Sequence, residues 1–213
     1  MNDLKFGSLG ETWINLVNLT VQAGVRPDDG CCELLGVKVA FPAAAADGDP
    51  LIGRFGDRQM IAEMKKVFFA DTPNALGHNY AGLMRGPGGR RDLQDVISLL
   101  RTHPASKRAV VTLCGGTDGK VPCINVIQFL VREGLVQTMY FARGQDAFKK
   151  FYADGLCIAT LARSVADGLE LPAGGVAGFI ASSHIYPEDL PAIQKMLAES
   201  RSYLRTGDPK GAG

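Results

Sequence analysis

The chain has 213 residues, of which 46% are hydrophobic and 21% are charged. This length is enough for a sizeable core, and we predict a single domain over residues 1–213. The composition excludes a largely disordered chain, a collagen-like fibre and a simple coiled coil. The 23 lysines and arginines nearly balance the 22 aspartates and glutamates. The net charge of +1 therefore disfavours nucleic-acid binding.

The sequence also limits the compartment and the kinds of site. Uninterrupted apolar runs stay well short of about 18 residues, and the N-terminus lacks the charged-then-apolar order of a secretory signal. We therefore expect a cytoplasmic protein without a membrane partner. The five cysteines form no CxxC pair, and the three histidines lie far apart. Neither a disulfide framework nor a metal site is expected.

Helical and strand patterns both occur along the chain, which predicts an α+β fold. Periodic apolar residues predict helices over residues 9–23 and about 57–69, and a third helix that Asp92 caps. Short apolar runs predict strands over Glu33–Phe41 and Ala109–Leu113.

The segment from Cys123 to Arg143 predicts a β-hairpin. With Glu133 at the centre of the turn, Cys123 lies directly across from Arg143, with Cβ atoms about 5 Å apart. A guanidinium there would stabilise a thiolate and lower the cysteine pKa, as a nucleophile requires. A slip of one residue in the turn would break this pairing. The alternative is that Cys123 is a small core residue and Arg143 a charge at the hairpin edge.

A series of motifs extends around this hairpin. It comprises Lys107-Arg108 before a strand, Pro122-Cys123, Tyr140 to Asp146, Asp154 and His184-Ile185-Tyr186. This order resembles the thymidylate synthase family, which includes the CMP and dCMP hydroxymethylases, and particularly its short archaeal-type members. The resemblance implies a mixed β-sheet covered by helices on one face, with the other face packing in a homodimer.

The resemblance also implies roles for single residues. The Pro-Cys motif of the family carries the nucleophile, here Cys123. The arginine that ends the next strand, here Arg143, binds the nucleotide phosphate. The His-x-Tyr motif, here His184 and Tyr186, holds the sugar. For His184, the alternative is that it caps the end of a strand.

Four further positions match the family by motif. Lys107 and Arg108 correspond to basic residues that reach the phosphate of the neighbouring subunit. Tyr80 corresponds to a tyrosine that serves in proton removal at C5, and Asp146 to an aspartate near the pyrimidine edge. Structural alternatives stay open for each: a solvated pair of charges, a core aromatic and an ordinary turn aspartate.

The sequence also departs from the family pattern. Ile124, Ala142 and Gly144 replace three polar ligands of the family. Asp154 stands where thymidylate synthases have asparagine and the cytidylate hydroxymethylases have aspartate. A carboxylic acid can accept from the 4-amino group of cytosine and, when protonated, donate to N3, which favours cytosine over uracil. The alternative is that Asp154-Gly155 is only a turn at the start of a helix.

The implied reaction transfers a one-carbon unit from 5,10-methylenetetrahydrofolate to C5 of a pyrimidine nucleotide. C5 is a poor nucleophile, so a thiolate adds to C6 and converts the ring into an enamine or enol that can attack the carrier. We predict hydroxymethylation of CMP or dCMP. The alternatives are thymidylate synthase-type methylation of dUMP or UMP, and a nucleotide-binding relative without turnover.

Overall fold

A mixed β-sheet forms the centre of the fold. The computed structural model describes residues 2–26, 30–44, 46–70, 79–85, 93–113 and 121–206, without the side chains of residues 85 and 202–206. The strands are β1 (Asn2–Lys5), β2 (Cys32–Pro42), β3 (Val110–Thr112), β4 (Ile124–Arg132), β5 (Leu135–Ala142), β6 (Gln145–Asp146) and β7 (Ala173–Ile185). The helices are α1 (Leu9–Ala23), α2 (Pro50–Phe55), α3 (Arg58–Phe69), α4 (Tyr80–Arg85), α5 (Leu93–Thr102), α6 (Phe151–Leu169) and α7 (Leu190–Thr206), with a 3₁₀ turn at Pro187–Asp189.

The strand order brings distant parts of the sequence to one sheet edge. The strands follow the order β1-β2-β7-β5-β4-β3, and β6 pairs with β7. β7 runs parallel to β5 and β6 and antiparallel to β2, and β4 runs antiparallel to β5. The carboxyl ends of β5 and β7 therefore lie at the same edge as the beginning of β4. This edge holds Cys123, Arg143 and the His184-Ile185-Tyr186 motif.

One face of the sheet packs on helices. Along β5, Val136 and Tyr140 point into the core, whereas Met139 and Phe141 are 40% and 38% exposed. α1 and α6 lie on the buried face and contact each other. The prediction of an α+β fold, with a mixed sheet covered by helices on one face, is confirmed. Among the described residues, no helix is long and apolar enough to cross a membrane.

The predicted elements in the first half of the chain are confirmed within one residue. α1 begins after Ser8, whose hydroxyl accepts from the N–H of Glu11 and satisfies one of the free donors of the first turn. α3 covers residues 58–69, and β2 extends the predicted strand by one residue at each end. The capping residue predicted for α5, Asp92, lies outside the described residues.

The hairpin register differs from the prediction in its turn, which has two residues, and in a bulge near the start of β4. The turn consists of Glu133 and Gly134, both with positive φ (52° and 72°), so Arg132 pairs with Leu135. The predicted turn centre at Glu133 alone is therefore wrong by half a residue, since a two-residue turn has no central residue. A bulge between Ile124 and Val126 then shifts the register, and Ile124 pairs with Ala142.

Candidate active site

The bulge at the start of β4 places Cys123 beside Arg143. The N–H of Arg143 donates to the carbonyl of Cys123 at 2.9 Å. The Arg143 guanidinium donates to the carbonyls of Val121 and Pro122, from Nη2 at 2.6 Å and from Nε at 3.0 Å respectively. The predicted proximity of the two residues is present, and the arginine also fixes the segment that leads to the cysteine.

The thiol of Cys123 is partly buried, and its burial raises its pKa above the ordinary value. The charges of Asp154 and Asp146 act in the same direction, while Lys150 and, more weakly, Arg143 lower the pKa. The predicted lowering of this pKa by the guanidinium is present, but the net shift is upward. Burial, together with the charges of Asp154 and Asp146, outweighs the stabilisation of the thiolate by the two cations.

Tyr80, in the first turn of α4, packs directly on the cysteine segment. The backbone N–H groups of Cys123 and Ile124 hydrogen-bond its phenol oxygen. The residue is 1% exposed, and burial, together with the charge of Asp154, raises its pKa far above the ordinary value. Tyr80 therefore presents a neutral hydroxyl next to Cys123.

Asp154 lies in the first turn of α6 and is 2% exposed. Its Oδ2 accepts a hydrogen bond from Nε2 of Gln145 at 2.9 Å. Within the described part of the chain, its Oδ1 is buried without a hydrogen-bond partner. Burial raises the pKa of Asp154, although the charge of Lys150 and the Gln145 hydrogen bond oppose the shift. A buried carboxyl group in this setting favours its neutral form.

Asp146 and His184 lie side by side on β6 and β7. Oδ1 of Asp146 accepts from the N–H groups of Phe148 and Lys149, at 3.0 and 2.8 Å. This contact is the turn role given as the alternative for Asp146. Burial raises the pKa of its carboxyl group, and the charge of His184 opposes that shift.

Tyr186 stands at the rim of the site. Its ring is 39% exposed and makes an edge contact with the ring of His184, with centroids 5.4 Å apart. The ammonium group of Lys149 lies 5.9 Å from the centroid of Tyr186 and pairs with Asp189 at 2.8 Å. Tyr186 is thus open to solvent, and the His184 ring lies next to Gly144, the residue after Arg143.

Lys107 and Arg108 lie elsewhere on the chain. Both are exposed and precede β3, where the carbonyl of Lys107 accepts from the amide of Gln128. Gln128 is five residues along β4 from Cys123, a separation of about 17 Å. The fold of one chain does not bring these two cations to the cysteine.

Sequence reasoning missed two residues of this site, Gln145 and Lys150. Lys150 precedes Asp154 by four residues, a spacing that places both side chains on one helix face. The signal for Lys150 was therefore present once a helix was assigned there. No comparable signal marked Gln145, because its contact with Asp154 depends on how β6 faces the beginning of α6. Among the described residues, no cluster of His, Cys, Asp or Glu could hold a metal ion.

Comparisons with known proteins agree with this architecture. The thymidylate synthase family model matches residues 60–206. A putative thymidylate synthase of Methanocaldococcus jannaschii is 35% identical over 120 residues, which are 51% of this chain and 54% of that protein. The chain thus spans about half the length of this relative. A putative thymidylate synthase of Methanococcoides burtonii is 26% identical over 203 residues, covering 91% of this chain and 94% of the relative.

The fold is shared with a solved structure. The crystal structure of thymidylate synthase from T4 phage superposes with a TM-score of 0.70 and covers 86% of this chain and 79% of that one, at 20% identity. The match of the family model covers more than half of the chain and includes Tyr80, Cys123, Arg143 and Asp154. The chain belongs to the thymidylate synthase family.

Proposed function

We propose that the protein is a cytidylate hydroxymethylase, which transfers a one-carbon unit to C5 of CMP or dCMP. The observation that carries the proposal is the buried carboxyl group of Asp154, whose Oδ1 is without a partner among the described residues. The carboxyl group lies close enough for its charge to act on Cys123 and Tyr80. A neutral carboxyl group offers one donor and one acceptor, which complement N3 and the 4-amino group of cytosine.

Cys123 is the proposed nucleophile. Its thiolate forms a bond to C6 of the pyrimidine, and the electron pair of the C5–C6 double bond moves to C5. Because burial holds the pKa of the thiol high, the thiolate depends on nearby positive charge. Lys150 and Arg143 supply that charge, and Arg143 also holds the carbonyls just before the cysteine.

Tyr80 is proposed to assist proton removal from C5. Its raised pKa excludes a tyrosinate near neutral pH, so the hydroxyl acts as a neutral hydrogen-bonding group. Such a group can orient a water molecule that takes the C5 proton. The adjoining backbone N–H groups of Cys123 and Ile124 hold the phenol oxygen near the reacting ring.

The nucleotide would lie along the sheet edge. Arg143 is proposed to hold the phosphate, His184 and Tyr186 the sugar, and Asp146 the side of the pyrimidine. Lys107 and Arg108 are proposed to reach the phosphate bound by a second copy of the chain, because they lie far from Cys123 in their own.

The proposed homodimer would use the sheet face that carries no helices. Phe141 and Phe179 stack there with centroids 5.9 Å apart, and Leu35 is 64% exposed. Clustered exposed apolar side chains of this kind are typical of protein–protein interfaces. Light scattering at micromolar concentration should give the mass of two chains, and a monomeric mass would contradict the dimer.

The residues around one neighbouring cavity fit the proposed cosubstrate, 5,10-methylenetetrahydrofolate. A cavity of about 220 Å³ adjoins Lys149. Its wall includes the aromatic side chains of Trp13, Phe55, Phe148 and Tyr152. Flat aromatic groups are well suited to such walls. When bound, the folate would supply the electrophilic carbon, and the Lys149 ammonium group, paired with Asp189, would stand at the cavity wall.

Methylation of dUMP or UMP is the second candidate function, favoured by the names of the archaeal relatives. A binder without turnover is the third, favoured by the replacement of three polar family ligands by Ile124, Ala142 and Gly144. Each candidate predicts a different product set.

One incubation separates these candidates. The protein is mixed with methylenetetrahydrofolate and with CMP, dCMP, UMP and dUMP in turn, and products are read by mass spectrometry. The proposal predicts a hydroxymethyl group on CMP or dCMP. A methyl group on dUMP or UMP supports the second candidate, and nucleotide binding without any product supports the third.

A further inference from the structure

We propose that Gln145 is a positioning residue that assigns different roles to the two carboxyl oxygens of Asp154, so that the pair selects cytosine. The inference rests on the proposed function, because it explains how that site distinguishes two bases. Gln145 is 1% exposed and belongs to the two-residue strand β6, paired with Ser183 of β7. Its backbone is therefore held by the sheet, and its side chain is buried.

The hydrogen bond between the two side chains has a direction. Nε2 of Gln145 donates to Oδ2 of Asp154 at 2.9 Å. Oδ1 of Asp154 and Oε1 of Gln145 are both buried, and neither has a hydrogen-bond partner among the residues that the structure describes. Buried polar atoms are normally hydrogen-bonded, so these two oxygens are positions at which a ligand can form hydrogen bonds.

The direction of the bond decides where a proton resides on Asp154. In a neutral carboxyl group, the carbonyl oxygen is the better acceptor, and the hydroxyl oxygen carries the proton. Because Oδ2 already accepts from Gln145, it is favoured as the carbonyl oxygen. The proton is then directed to Oδ1, which accepts no bond from the described residues.

This assignment matches the edge of cytosine. Oδ1–H of Asp154 donates to N3, and Oδ2 uses its second lone pair to accept from the 4-amino group. Uracil has an N–H at position 3 and a carbonyl at position 4. With uracil, the donor Oδ1–H would meet the donor N3–H, and the acceptor Oδ2 would meet the acceptor O4. Without Gln145, the proton could occupy either oxygen, and the discrimination between the bases would fall.

The ionisation of Asp154 depends on all the groups that face it. Lys150, which immediately precedes α6, and the Gln145 amide favour the carboxylate, while burial and Asp146 favour the neutral acid. The carboxyl group also faces other titratable side chains: Tyr80 on α4, Tyr140 on β5, Cys157 on α6 and Cys123 before β4. Since the Gln145 bond favours the ionised form, its loss should raise the pKa of Asp154.

The test measures binding rather than turnover. In a Cys123→Ala background, calorimetry gives the affinities for CMP and UMP from pH 5 to 9. Their ratio cancels the titration of the phosphate, which both nucleotides share. The ratio should fall as pH rises, because cytosine needs the protonated acid. Gln145→Met has a side chain of similar length without a hydrogen-bond donor. At low pH, where Asp154 is protonated, it should lower the CMP-to-UMP affinity ratio about tenfold. It should also raise the midpoint, the pH at which the ratio has fallen halfway, by about one unit.

Two variants complete the experiment. Gln22→Met makes the same change at the exposed end of α1, where the glutamine amide donates to Asn18, and should leave the ratio and its midpoint unchanged. Gln145→Glu, a second variant in case Gln145→Met does not fold, should also raise the midpoint, since two adjacent carboxyl groups resist joint ionisation.

The outcomes distinguish two kinds of failure. One outcome is that the protein prefers CMP to UMP with the same midpoint pH whether or not Gln145 is present. This result would overturn the role of Gln145 and leave the proposed function intact. A ratio below one while Gln145 is present would contradict cytosine as the substrate base, and with it both proposals.

Discussion

Arg143 and Cys123 lie side by side just beyond the paired ends of β5 and β4, because a bulge corrects the register set by the turn. The turn alone pairs Val126 with Phe141, and the register shift between Ile124 and Val126 brings Ile124 opposite Ala142. The N–H of Arg143 then donates to the carbonyl of Cys123, and its guanidinium holds the carbonyls of the two preceding residues. The arginine thus positions the proposed nucleophile as well as the proposed phosphate site.

Replacing Cys123 by alanine should abolish turnover while nucleotide binding persists. The thiolate makes the bond to C6, whereas the proposed phosphate and sugar contacts come from Arg143, His184 and Tyr186. Product analysis and calorimetry on the same preparation measure the two properties separately.

Cys31→Ala and Cys157→Ala are the matched controls. Both thiols are buried, and burial keeps Cys157 protonated by raising its pKa. These variants should lose stability on the scale of a small core truncation, about 1 kcal/mol, and keep most of their activity. Near-normal turnover by Cys123→Ala would contradict the mechanism.

Lys150→Met should make Cys123 less reactive. The charge of Lys150 is the strongest of those that lower the pKa of this thiol, so its loss should raise the pKa further. At pH 8 the thiolate fraction, and with it the rate of alkylation by iodoacetamide, should fall about three- to tenfold. Mass spectrometry of the peptide that contains Cys123 measures the rate. The alkylation rates of the unaltered protein and of Lys150→Met should converge at a pH above the Cys123 pKa of the variant.

Lys149→Met provides the control for this experiment. Lys149 is the residue next to Lys150 in the sequence, but its ammonium group pairs with Asp189 at 2.8 Å. The alkylation rate of Cys123 should change little in this variant. Equal rates for Lys150→Met and the unaltered protein across the pH range would exclude Lys150 as a source of thiolate stabilisation.

The sequence predicted most of the elements that carry a periodic pattern, and it failed where the pattern is absent. α1 and α3 each bury one stripe of apolar residues, so their spacing was informative. α6 is buried along most of its length, and its mainly apolar and small residues show no single face. β7 contains three glycines, and a side chain at Gly178 would collide with the ring of Tyr140. A glycine-rich strand of this kind carries little β-propensity.

The candidate site was predictable where a family motif existed. Cys123, Arg143, Tyr80 and Asp154 all lie at or near the sheet edge where β5 and β7 end. The raised pKa of Cys123 was not predictable, because it depends on how deeply the segment before β4 is buried. Gln145 was missed for a related reason, since its role arises from a contact between two elements.

Tyr80→Phe should separate nucleotide binding from proton removal. The substitution deletes the hydroxyl that accepts from the backbone of Cys123 and Ile124, and leaves the aromatic packing on Phe68 in place. Release of tritium from C5-labelled CMP should fall about a hundredfold, with little change in CMP affinity. If CMP affinity and tritium release fell to the same extent, Tyr80 would only support the fold of the site.

The central claim is that Asp154 makes the site specific for cytosine, and Asp154→Asn tests it most directly. An asparagine amide offers a donor and an acceptor that suit O4 and N3–H of uracil. Asp167→Asn, an exposed substitution near the other end of α6, is the control. Tritium release from C5-labelled CMP and UMP is measured for all three proteins. The account predicts that Asp154→Asn shifts the CMP-to-UMP ratio of rates toward UMP by roughly ten- to a hundredfold. An unchanged ratio would contradict it and make methylation of a uridylate the first interpretation.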